Sequence, residues 1–293
     1  MPACDSPVPP FPLDSSLRNF IMAPAKRRMN WIGALQRNRV ANSLVKTLRI
    51  HRLADFGLNR HPLKRKTAHG FTYCVESTAS LVVAKEIFDT DMYARAVALV
   101  QPVTFIDLGA NVGFFPVLLA DVMRTRRIKG LCIEPNPHLH SAVEFHLRQN
   151  SLDGVHLVRG AVTAGGDAAT IDFYLHPSHI ASSVSGDFNP WVAVGGKVER
   201  VKVAVINLAA EWARHFPNER INLLKIDIEG AEAGFLRSNA SFLTCVDAIL
   251  IEWHKWVTTL DEIKEVLRAG RFGLETIADE DSHVGTALFR RIP

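Results

Sequence analysis

The sequence predicts an α/β fold, a mostly parallel sheet covered by helices on both faces. Three observations carry this. From about residue 80, strand-like and helix-like segments alternate. The strand-like runs are apolar on both faces, as strands buried between helices are. The turn after the first of them, "FIDLGANVGF" (Phe105–Phe114), places an aspartate at a strand tip and two glycines beyond it.

Taken in order, Val103–Leu108 reads as a short buried strand and Gly113–Arg124 as the helix after it. "KGLCIEP" is a second strand ending at Glu134, His138–Gln149 is helical, and Val155–Arg159 is a third strand. "INLLKIDIE" and "VDAILIEW" follow as strands four and five. "LDEIKEVLRAG" is a helix with Gly270 as its C-cap, and "FGLETIA" and "TALFR" are the last two strands. Between strands three and four lies an irregular insert, about residues 164–220, containing "TIDFYLH", "ASSVSGDF" and "VERVKVAVINL".

Composition bounds the remainder. Hydrophobic residues at 47% and charged residues at 22% are ordinary globular values, and no apolar run reaches the ~20 residues of a membrane span. The start, "MPACDSPVPPFPLD", lacks the order of a secretory signal, and the four cysteines are scattered without a CxxC pair. A cytoplasmic location is the expectation. Charge is uneven: residues 1–70 hold 13 Lys/Arg against 3 Asp/Glu, while the remainder holds 21 against 27. Residues 1–70 therefore form a basic arm ahead of a main domain at 71–293. Residues 1–28 read as largely disordered. Residues 29–56 read as an amphipathic helix with Ile32, Leu35, Val40, Leu44, Leu48 and Leu53 on one stripe. That helix either packs on the main domain or lies peripherally on an anionic membrane, at its inner face. Nucleic-acid binding is disfavoured, since no nucleic-acid module accompanies the charge.

In an open α/β sheet, ligands bind beyond the carboxyl ends of the strands, where strand order reverses. Gly109 and Gly113 would let a ligand approach the backbone of the first turn. The turn is not the GxGxxG of dinucleotide folds, and Asp107 would sit poorly beside a pyrophosphate. It suits a cation, such as the amino group of S-adenosylmethionine. Glu134, 25 residues after Gly109, is placed to accept two ribose hydroxyls.

These motifs resemble the class I methyltransferases, and more narrowly the FkbM family, through "FIDLGANVGFF", "IEPNP" followed by "LRQN", "LLKIDIEGAE" and "ILIEWH". "KEIFDTDMY" (Lys85–Tyr93) and "ASS" at Ala181–Ser183 are similar to family segments too. The resemblance spans roughly residues 80–290 and implies a Rossmann-like seven-stranded sheet with a final antiparallel hairpin. It implies S-adenosylmethionine as cofactor, held by Asp107, Gly109, Asn111, Gly113, Glu134 and Asn136. The acceptor it implies is a hydroxyl on a sugar, glycolipid or polyketide-like metabolite. In one place the chain departs from the family, carrying "VINLAAEW" with Asn207 where an aspartate-rich "LDD" segment is common.

Methyl transfer to an alcohol needs an acceptor held in line and a base for its proton. Lys225, Asp227 and Glu229 alternate along one face if strand four runs that far. Asp227 is the first candidate base or substrate anchor, with Glu229 beside it; Glu232 reads as a first-turn carboxylate suited to the helix dipole. Glu252 and His254 share a face at the end of strand five, His254 as a candidate proton acceptor and Glu252 on the substrate side. Ser182 and Ser183 could donate to substrate from the insert. No tight ligand spacing points to a metal. N-methylation of a small amine is the near rival. A nicotinamide dehydrogenase is disfavoured by the missing GxGxxG, and a non-catalytic membrane-associated binding protein by Asp107 and Glu134.

Overall fold

The computed structural model describes residues 50–165, 168–176, 182–184 and 198–293. Most of the basic arm, including residues 1–28 and the first part of the expected 29–56 helix, lies outside these residues, as does Ala181. Helix α1 (Ile50–Arg60) is followed by a hairpin of β1 (Leu63–Lys66) and β2 (Thr72–Val75), which crosses the boundary expected at residue 70. Helix α2 (Thr78–Ala84) runs into a π-helical turn at Lys85–Asp89, and α3 is Met92–Val100. Then come β3 (Thr104–Leu108), α4 (Phe114–Val122), β4 (Lys129–Glu134), α5 (His140–Gln149) and β5 (Val155–Arg159). The insert supplies a two-stranded antiparallel sheet, β6 (Thr170–Leu175) with β7 (Glu199–Ala204), and helix α6 (Leu208–His215). Strand β8 (Ile221–Ile226), helices α7 (Glu232–Ser238) and α8 (Ala240–Leu243), β9 (Val246–His254), α9 (Leu260–Ala269), β10 (Phe272–Glu280) and β11 (Val284–Arg291) complete it.

The main sheet has seven strands in the order β10-β11-β9-β8-β3-β4-β5. Strands β5, β4, β3, β8 and β9 are parallel; β11 runs antiparallel to both β9 and β10. The chain starts at the centre with β3, builds outward through β4 and β5, then returns to lay β8 on the other side of β3. Strand order therefore reverses between β3 and β8, and the crevice opens at their carboxyl ends.

Alternation sorts each strand between two cores. Ile106, Leu108, Leu224, Ile226, Ile249 and Ile251 face one helical layer. Phe105, Leu223 and Leu250 face the other, with Phe115 and Tyr93 packed on them. Toward the carboxyl ends this second face turns polar. By register, Asp107 stands beside Lys225, and Glu252 lies two residues beyond Leu250, the neighbour of Lys225.

Two local endings differ from expectation. Strand four stops at Ile226, because Glu229 (φ 51°) and Gly230 (φ 96°) turn the backbone into the left-handed region before α7. At the end of α9, Gly270 caps with an ordinary φ of −83°, and the left-handed residue is Arg271 (φ 61°). Among the described residues no helix is long and apolar enough to cross a membrane.

Candidate active site

The first turn owes its glycines to the protein's own packing. A Cβ on Gly109 (φ 78°) would lie 1.8 Å from the carbonyl oxygen of Asp227, and one on Gly113 (φ 81°) would lie 3.1 Å from the Cα of Val143 on α5. Packing adds a reason to the expected approach of a ligand: the end of β8 and helix α5 both close on the loop. Between them Asn111 also takes a positive φ of 52°. The loop is pinned from below, where His146 Nδ1–H reaches the carbonyl of Val112 at 2.8 Å and Nε2 accepts from Cys74 N–H at 2.9 Å. Burial holds this imidazole neutral by lowering its pKa to about 4.

Glu134 ends β4, almost fully buried. One carboxylate oxygen accepts from Asn111 N–H and the other from Asn136 N–H, both at 2.7 Å. Burial pushes the group up to about 8, against the pull of those two amides. Asn136 is itself buried and spends its side chain accepting from His138 N–H.

A cavity open to solvent lies at the switch point. Gly109, Asn111, Glu134, Pro135 and Leu139 line one side, and Asp227, Glu229 and Ala231 the other. The insert closes a third side with Phe173, Ser182 and Val184. Ser182 Oγ accepts from His176 N–H, and Ser183 donates to the carbonyl of Glu229, fastening the insert to the Glu229 turn. Asn207 takes the place of the family's acidic segment as an N-cap, accepting from Ala210 N–H at the start of α6.

Asp107 is not among the lining residues. It is fully buried one step below the cavity, with Lys225 Nζ at 3.1 Å. Burial raises Asp107 to about 6, with Lys225 opposing. For Lys225 burial favours the neutral amine, but Asp107 and Asp227 outweigh it and hold the ammonium charged. Lys225 is also 3.4 Å from Asp227, so one cation bridges the two aspartates.

Sequence reasoning gave no role to Glu86 and Tyr93, although both lie in "KEIFDTDMY". The Tyr93 hydroxyl is 3.0 Å from Glu86 and 3.0 Å from Glu252, which is 159 positions away in the chain. One hydroxyl proton cannot serve two carboxylates, so the second contact calls for a proton on one of them. Burial raises Glu86 to about 7 and Glu252 well above the usual carboxylate range. Glu86 sits on the π-helical turn, a departure from α-geometry that is frequent at functional sites.

His254 is clamped. Its Nδ1 donates to Glu232 at 2.9 Å, while Nε2 lies 3.3 Å from Glu229 and 3.9 Å from Glu252. Burial works against its charge, but the Glu232 hydrogen bond and the surrounding carboxylates raise it to about 10. The ring therefore holds its proton more tightly than the near-neutral base expected of His254 would. Glu232, expected to serve only the helix dipole, is fully buried and also accepts from Ile228 and Gly230 N–H. Burial raises Glu229 to about 8, with His254 opposing. Asp227, Glu252 and His254 bring one potential ligand atom each within 4.8 Å of one another.

The residues fit S-adenosylmethionine. The side-chain oxygen of Asn111, in the cavity wall, is buried without a hydrogen-bond partner, and Glu134 places a carboxylate on the same wall. An unmet acceptor beside a carboxylate suits a ligand rich in N–H and O–H donors.

Residues 107–273 match the model of the methyltransferase FkbM domain. Similar solved structures include the METTL16 methyltransferase domain, at 12% identity over 81% of this chain and 88% of that one, with a TM-score of 0.45. M. jannaschii TYW2 in complex with AdoMet shares 14% over 79% and 87%, at 0.39. M. capricolum TrmK in complex with S-adenosyl-homocysteine shares 9% over 64% and 62%, also at 0.39. The chain spans 61% and 62% of the first two solved structures it matches. No curated protein matches it. The matched stretch covers more than half of the sequence, including Asp107, Glu134, Asp227 and His254, and the chain belongs to the FkbM methyltransferase domain family, whose cofactor is S-adenosylmethionine.

Proposed function

We propose that this chain methylates a hydroxyl group, on a small molecule or on a glycan- or lipid-linked acceptor of the sugar, glycolipid or polyketide-like kind. One observation carries the reading: a single cavity is lined by Glu134 and Asn111 on one wall and by Asp227 and Glu229 on the other. Bound S-adenosylmethionine supplies a methyl group already activated on a sulfonium. Glu134 accepts from its ribose hydroxyls and Asn111 from its donor groups, with Gly109 on the same wall. Asp107 acts at one remove, by holding Lys225 against Asp227. That ammonium stands 3.4 Å from Asp227 at the cavity edge, where the carboxylate takes the acceptor's proton. His254, hydrogen-bonded to Glu232, holds its ring beside Glu229 and Glu252.

N-methylation of an amine is a second reading, favoured by the excess of carboxylates over cations around Asp227. A labelled methyl donor offered with parallel panels of hydroxylated glycans, hydroxylated metabolites and small amines tests both. Label on oxygen supports the first reading, label confined to nitrogen supports the second, and no transfer to any panel counts against both.

A further inference from the structure

The outer face of helix α1 is apolar where a docked helix is normally polar. Leu53 is 72% exposed and Phe56 67%, and Arg60 continues the same i, i+3, i+7 stripe in the open. The opposite face is anchored, since Asp55 accepts from both N–H and Oγ1–H of Thr78 at the start of α2. The helix is therefore held with Leu53 and Phe56 outward. Strand β1 follows at once, with Leu63 40% exposed and Lys64, Arg65 and Lys66 all in solvent. Two large exposed apolar side chains are followed closely in the chain by four exposed cations, those of β1 alternating between the two faces of the hairpin, with no acid on the exposed stripe.

We infer that this face docks on an anionic lipid bilayer, with Leu53 and Phe56 entering the headgroup–acyl boundary and Arg60, Lys64, Arg65 and Lys66 meeting lipid phosphates. Charge selects this occupant over the chain's own arm. Residues 1–49 carry 8 Lys/Arg against 2 Asp/Glu, so the arm is repelled by a basic face, whereas a bilayer of anionic lipid is drawn to both. The exposed leucine and phenylalanine select it over nucleic acid, whose phosphates would pair with the cations but leave this apolar surface in water. Apolar insertion and charge attraction together are the two signals that stable peripheral binding needs.

The test is co-sedimentation of the full chain with vesicles of phosphatidylcholine alone and of phosphatidylcholine mixed with phosphatidylserine. The expected result is binding to the mixed vesicles, weakened by added salt. The Leu53→Gln/Phe56→Gln variant should partition at least ~10-fold less, and Lys64→Glu/Arg65→Glu/Lys66→Glu should lose roughly fivefold or more per residue. Both variants should melt like the parent, as exposed positions do. Unchanged sedimentation of either variant would overturn the inference. So would equal binding to neutral vesicles, or retention on a nucleic-acid column without vesicle binding. A collapsed melting transition in the Leu53→Gln/Phe56→Gln chain would place the face inside the protein and overturn it as well.

Discussion

Asp107 and Lys225 are neighbours across β3 and β8, and their charged ends meet at 3.1 Å with both side chains withdrawn from water. The pair marks where the apolar alternation of the sheet gives way to a polar layer. Lys225 links the buried aspartate to Asp227 at the cavity edge. Removing the cation strands two carboxylates, and removing a buried partner costs far more than an exposed one.

Lys225→Met should therefore destabilise the protein by roughly 3–5 kcal/mol in equilibrium urea unfolding. Adding Asp107→Asn should restore part of that loss, because the uncompensated charge is removed. A single substitution costing under ~1 kcal/mol, or a double variant no better than the sum of its parts, would contradict the bridging role.

Gly109 is a second point of contact between the cofactor loop and β8. Its positive φ and the carbonyl of Asp227 leave no room for a methyl group. Gly109→Ala should cost about 1–3 kcal/mol in a thermal or urea melt and should weaken S-adenosylhomocysteine binding by shifting the loop that carries Asn111. A variant that melts and binds like the parent would show that the loop and strand are not in such contact.

The imidazole of His254 ordinarily titrates at 6.5 and is raised to about 10 in the fold. The folded protein thus holds this proton more tightly than the unfolded chain does. The stability it contributes is complete below pH 6.5 and fades as pH rises from 6.5 toward 10. The stability difference between the parent and His254→Gln should shrink across that window in urea titrations at a series of pH values. A difference that stays constant or grows would mean the ring is neutral in the folded protein.

Asp227 stands at the cavity while Glu134 forms the opposite wall. Asp227→Asn should leave S-adenosylhomocysteine affinity near the parent's and slow turnover by ~10²-fold or more. Full activity would remove Asp227 from proton transfer.

The frame of this molecule was readable because its strands are short apolar runs that end on acids. Strand tips at Asp107, Glu134 and the Asp227 region follow from where alternation and turn residues stop, and Val155–Arg159 was placed to the residue. Which face an acid takes was harder to read. Asp107 and Glu134 both sit near strand tips on one face of the sheet, yet Asp107 is buried against Lys225 and Glu134 reaches the cavity. The run "KIDIEG" looks like continuous strand, and only the left-handed turn at Glu229 and Gly230 swings Glu229 onto the cavity wall. Glu86 and Tyr93 meet Glu252 through tertiary packing of α3 on the sheet, a contact with no local sequence signature.

The central claim is that the crevice between Glu134 and Asp227 holds the sulfonium nucleoside. Calorimetric titration of S-adenosylhomocysteine into the parent and into Glu134→Ala tests it most directly. The account predicts one site per chain, weakened about 10- to 100-fold when the carboxylate that accepts from Asn111, Asn136 and the ribose is lost. Binding of equal strength in a folded Glu134→Ala variant, or no binding to the parent, would contradict it.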